Sequence, residues 1–98
     1  MSTIQVNQDF QLILETYKNV TAMTTKEIHY RKPGSKRVYS ETATVVTLTK
    51  LTIDITDTIN DISGQWYFQS YVIDNTGKIY LGEVAKLDVQ PKIRDIRS

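Results

Sequence analysis

The chain has 98 residues, 12 basic against 11 acidic, a net charge of +1 and no cysteine. That length holds one domain with one core, the near-neutral charge argues against a dedicated DNA or RNA binder, and the missing thiols exclude a disulfide framework, a thiol nucleophile and a thiolate metal site. Thr, Ile and Val supply 32 of the 98 residues while Ala and Leu together supply 9, a balance that favours strands over helices and predicts an all-β fold.

Successive side chains on a strand point to opposite faces, so alternation of apolar and polar residues marks strands. Residues 3–6 fit a short first strand, punctuated by Asn7-Gln8-Asp9. Residues 10–17 follow, with Phe10, Leu12 and Leu14 on one face and Gln11, Ile13 and Glu15 on the other. Residues 18–23 form a connection. Residues 25–32 alternate again, Ile28 and Tyr30 opposing Glu27, His29 and Arg31. Pro33-Gly34-Ser35-Lys36 reads as a turn.

Residues 37–47 resume as a strand whose face of Val38, Ser40, Thr42, Thr44 and Val46 is weakly apolar. An edge position or a bulge near Ala43 is expected. Leu51, Ile53 and Ile55 alternate with Thr52, Asp54 and Thr56, the cleanest half-buried strand in the chain. Residues 57–63 are expected to form a turn, with one helical turn carrying Ile59 and Ile62 inward. Gly64 opens the next strand, with Trp66, Phe68, Ser70 and Val72 on one face and Gln65, Tyr67, Gln69, Tyr71 and Ile73 on the other. Asp74-Asn75-Thr76-Gly77 is a hairpin signal. Residues 78–89 return, with Ile79, Leu81, Ala85, Leu87 and Val89 in phase. Glu83 falls on that apolar side, and Gly82 marks a bulge that rotates it outward. Pro91 ends the pairing.

Turn signals at short intervals between six to eight antiparallel strands predict two packed sheets, an immunoglobulin-like β-sandwich over residues 1–91 with a tail at 92–98. Neither a run of ~20 apolar residues, the length that spans a bilayer, nor a secretory signal is visible.

Chemistry-bearing constellations are sparse. The only histidine, His29, sits on a strand between Ile28 and Tyr30 and has no second histidine to share a metal with. It reads as a solvated strand residue, and no nucleophile-elbow motif accompanies it. Asp54, Asp57 and Asp61 miss the spacing of a calcium loop and fit turn chemistry instead. Gly34, Gly64, Gly77 and Gly82 are isolated and form no phosphate-cradling loop. No catalytic residue, metal or cofactor is assigned.

Three groups are candidate partner contacts. Arg31, Lys32, Lys36 and Arg37 flank one turn, as a solvated hairpin tip or as a contact for an acidic partner surface. Tyr67, Tyr71 and Tyr80 fall off the Trp66–Phe68 face and form an outward aromatic row with Gln65 and Gln69. Two readings fit that row, a protein interface and cross-strand pairing that stabilises the sheet. The tail, with Lys92, Arg94 and Arg97, is either a frayed terminus or a segment ordered on a neighbour.

The run Ile28-His29-Tyr30-Arg31-Lys32-Pro33-Gly34, then Gly64-Gln65-Trp66-Tyr67-Phe68-Gln69-Ser70-Tyr71-Val72 and Gly82-Glu83-Val84-Ala85-Lys86-Leu87-Asp88-Val89, resembles small bacteriophage virion proteins. These have an immunoglobulin-like sandwich and are similar to the N-terminal domain of the phage baseplate upper protein. The resemblance covers residues 10–90. It implies a non-enzymatic structural component of the tail, baseplate or neck, made in the host cytoplasm and resident in the virion. Such a protein docks through a sheet face, an edge strand or its tail onto copies of itself or onto other virion proteins, without nucleic acid or membrane. Within these 98 residues the resemblance does not reach the long C-terminal extension of a full baseplate upper protein, so no receptor-binding or trimer-forming role is expected from it. Other expectations are a capsid-surface or head-fibre decoration protein, and a glycan-binding module for host attachment in which exposed tyrosines stack on sugar rings.

Overall fold

The structure is a computed structural model that describes residues 4–56 and 58–91. Its strands in chain order are β1 (Ile4–Gln5), β2 (Phe10–Glu15), β3 (Thr25–Arg31), β4 (Tyr39–Thr42), β5 (Thr44–Thr47), β6 (Lys50–Ile55), β7 (Gly64–Ile73), β8 (Ile79–Leu81) and β9 (Ala85–Gln90). They form two sheets. The larger runs β1-β9-β7-β3-β4, with β8 also on β7, and the smaller runs β2-β6-β5. The all-β expectation holds. The described residues carry nine strands rather than six to eight, because residues 37–47 and 78–89 each divide in two. Pairing is antiparallel except between β1 and β9, which run parallel.

The apolar faces of the two sheets meet in one core. Leu14, Leu51, Ile53 and Ile55 come from the smaller sheet, and Ile28, Tyr30, Trp66, Phe68, Val72 and Val89 from the larger. The alternation of β7 is carried through as expected: Trp66, Phe68, Ser70 and Val72 are all buried. Tyr30, Trp66 and Phe68 form an aromatic cluster with ring centroids 5.9–6.2 Å apart. Each such side chain contributes about 1.5–3 kcal/mol by leaving water. The Trp66 indole N–H donates to the Ile62 carbonyl at 3.0 Å. Ile62 was expected to point inward, yet its side chain is 41 % exposed. Its carbonyl faces the buried tryptophan instead, and the one turn in the segment comes before it, where the Thr56 carbonyl accepts the Ile59 and Asn60 N–H groups at 3.1 and 2.9 Å. Ile59 does pack against the core.

The segment 37–47 is an edge in both sheets. β4 pairs with β3 and β5 with β6, so the chain leaves one sheet for the other at the buried Ala43. The Ala43 N–H still donates to the Lys26 carbonyl at 2.9 Å. Val38, Ser40, Thr42, Thr44 and Val46 are all exposed, while Tyr39, Glu41, Ala43 and Val45 turn inward. Gly64 enters β7 at φ +127°, where a Cβ would lie 2.9 Å from Pro33, so the turn at 33–36 and the start of β7 pack without room for a side chain.

The returning strand corrects the expected phase. Four residues of β7, Tyr71 to Phe68, lie against five of the returning chain, Leu81 to Ala85. The extra residue lies at the break around Gly82, where a bulge was expected, and Glu83 is exposed there. One inserted residue exchanges faces. Leu87 and Val89 therefore face the core, while Ile79 and Leu81 are 52 % and 61 % exposed. Gly82 is tied down by its N–H to the Ser70 carbonyl, and a Cβ there would collide with the Ser70 hydroxyl.

Candidate functional site

The outer face of the larger sheet is built on three rungs between β3 and β7. Glu27 pairs with Tyr71, His29 with Gln69, and Arg31 with Tyr67. Their neighbours Ile28, Tyr30, Phe68, Ser70 and Val72 are buried, so strict alternation sends all six of these side chains to the opposite face. The His29 ring stacks on Tyr71 with centroids 4.5 Å apart and planes 17° from parallel. Its Nε2 lies 3.0 Å from a Glu27 carboxylate oxygen. The Arg31 guanidinium sits 5.2 Å from the Tyr67 ring centroid, and the Tyr67 hydroxyl donates to Gln65 at 3.0 Å. Gln69 donates its amide to the Gly82 carbonyl at 2.8 Å, which anchors the middle rung to the break between β8 and β9.

Apolar side chains flank these rungs. Val38 (61 % exposed) leads into β4 on one flank, and Ile79, Leu81 and Val84 (52, 61 and 54 %) lie on the other. A shallow depression of about 210 Å³ opens among His29, Arg31, Val38, Tyr67, Gln69 and Val84. Sequence reasoning missed this apolar flank. Alternation put Ile79 and Leu81 in phase with Ala85, Leu87 and Val89 on one apolar face, and the signal that could have separated them was Gly82, whose bulge also flips everything before it.

Two of the three expected row members are in place, and Tyr80 is the correction. It pairs with buried Val72 and packs against the core, because the bulge turns the β8 residues over. Its hydroxyl donates to Asp74 at 3.2 Å, and Lys18 Nζ lies 4.0 Å from its ring centroid. Burial, and then the hydrogen bond to Asp74, push the Tyr80 hydroxyl above its ordinary pKa. Asp74 itself is pulled down to about 2 by the Thr76 hydroxyl and by the Lys78 and Thr76 N–H groups.

The basic cluster divides: Lys32 and Arg37 come together at the Tyr39 ring, and Arg31 leaves them. Arg31 joins the tyrosine face, whereas Lys32 makes a 2.9 Å ion pair with Asp61 and lies 5.1 Å from the Tyr39 ring. Arg37 lies 5.0 Å from that same ring, and Lys36 is exposed. Lys92, Arg94 and Arg97 lie outside the described residues, as does Asp57. Among the described residues no group of three or more His, Asp or Glu side chains is placed to hold a metal ion, and no helix is long and apolar enough to cross a membrane.

Comparison with protein-family models, with curated proteins and with solved structures finds no match.

Proposed function

We propose that this chain is a non-enzymatic structural component of a bacteriophage virion, from the tail, baseplate or neck, that works by docking through the outer face of its larger sheet. One observation carries the docking face. Tyr71 stacks on His29 and Tyr67 lies beside the Arg31 guanidinium, with Val38 exposed on one flank of these rungs and Ile79, Leu81 and Val84 on the other. Aromatic residues and arginine are enriched where protein interfaces bury their centre. The virion assignment rests on the sequence resemblance alone. Repetition on a symmetric particle turns weak individual contacts into stable attachment.

We read the fold as immunoglobulin-like. The strand order supports this: β2-β6-β5 run as B, E and D, β3, β7 and β9 as C, F and G, and β4 as an added C′ beside C. The large side chains Trp66 and Phe68 fill the centre in place of a disulfide.

The test is the mass of the purified chain by light scattering across a wide concentration range. A defined multimer is expected. A monomer at the highest concentration would overturn self-assembly and leave recruitment by another virion protein, or glycan binding. The second of these is favoured by the depression beside Tyr67, where an aromatic ring and the polar Arg31 and Gln69 side chains border a space open to a sugar. A glycan screen with Tyr67→Ala as control decides it.

A further inference from the structure

We infer that the outer face of the larger sheet receives a second copy of this chain, the two packed face to face about a two-fold axis along the His29–Gln69 rung. This rests on the assembly reading above and commits it to one partner and one geometry. The argument is the arrangement of charge. Glu27 and Arg31 lie on β3, one rung to either side of His29, each with a tyrosine across from it on β7. At about 3.3 Å per residue they are ~13 Å apart, with the proposed axis midway.

A two-fold axis in the interface plane and along the central rung reverses strand direction while keeping β3 over β3 and β7 over β7. Arg31 of each copy then faces Glu27 of the other, and Tyr67 of each faces Tyr71 of the other. Glu27 and Arg31 of each copy thus meet their opposites, twice, while His29 and Gln69 lie on the axis and face their own counterparts. An isologous contact requires that where residue i meets j, j also meets i, and this face satisfies the condition with the residues it has. Turning the axis by 90°, along the strands, sets β3 over β7. Both charges then face tyrosines and lose water without gaining a counter-charge. Val38, Ile79, Leu81 and Val84, all more than half exposed in the single chain, flank the rungs. Lys86 and Asp88 of β9 share this face and fall opposite Leu81 and Ile79 of the other copy at its rim, where the Lys86 stem covers apolar surface with its ammonium left in water.

The experiment is light scattering on the full chain and on Glu27→Arg, Arg31→Glu and the double swap, with thermal melting of each to establish that it folds. Each single variant places like charges face to face and is expected to weaken association about tenfold or more. The double swap remakes both pairs with signs exchanged and restores association. An equimolar mixture of the two single variants also restores it, since one copy then offers two arginines to the other's two glutamates. A wild-type multimer that ignores the single variants, or that neither swap nor mixture rescues, overturns this geometry and leaves assembly through another surface standing. A wild-type chain that stays monomeric overturns this inference and self-assembly together.

Discussion

Asn60 shows how much one side chain holds. It is fully buried, and its amide donates to the Gln5 carbonyl at 2.7 Å and to the Gln8 carbonyl at 2.9 Å. Its own carbonyl accepts the Asn7 N–H at 2.6 Å. The connection between β1 and β2 is therefore clamped to the segment that leads into β7. Asn60→Ala leaves two backbone acceptors without their donor and is expected to lower the unfolding free energy by about 1–3 kcal/mol, read from urea titration. Asn60→Asp should cost more. It loses the donor and places a negative charge where the Asn60 side-chain oxygen has no partner among the described residues. No periodicity pointed to Asn60, because its role is to satisfy backbone groups distant in sequence. His29 was legible as a strand residue on a polar face. Its stacking on Tyr71 was not, because cross-strand register sets that contact.

At the scale of elements, the β7–β8 hairpin depends on Asp74. One carboxylate oxygen accepts from Thr76 N–H at 2.9 Å, Thr76 hydroxyl at 2.6 Å and Lys78 N–H at 2.9 Å. These bonds favour the ionised form and hold the folded-state pKa at about 2, below the ordinary Asp value of about 3.9. The contribution is thus complete above about pH 4. It fades as pH falls through that window and is gone below about 2. The urea midpoint of the wild type should fall faster between pH 4 and 2 than that of Asp74→Asn, which has no carboxylate to titrate. The hairpin signal Asp74-Asn75-Thr76-Gly77 was readable from residue types, since the turn uses local hydrogen bonds. The phase of β8 was not. Alternation predicts faces only while pairing is unbroken, and the extra residue near Gly82 reverses Ile79, Tyr80 and Leu81 together.

Across the whole molecule, stability comes from one shared core. Phe68 is 1 % exposed and touches the aromatic cluster that joins β3 and β7. Phe68→Ala should cost about 3–5 kcal/mol, a large part of the ~5–15 kcal/mol that a domain of this kind has. Chemical unfolding followed by tryptophan fluorescence and by far-ultraviolet circular dichroism should give coincident transitions, because Trp66 reports on a core both sheets contribute to.

The sequence by itself determined the strands and most of the core: alternation placed Leu51, Ile53, Ile55, Trp66, Phe68 and Val72 inside, since burying one face of a strand leaves a period of two in the chain. It also located both turns and the weak edge near Ala43, because glycine, proline and short polar residues act locally. Only the tertiary structure decided which tyrosines share a surface, where β4 and β5 part, and that Ile79 and Leu81 border Tyr71 on the outside. Those outcomes depend on register between segments far apart in the chain, and a shift of one residue, which leaves little trace in the local pattern, exchanges inside for outside.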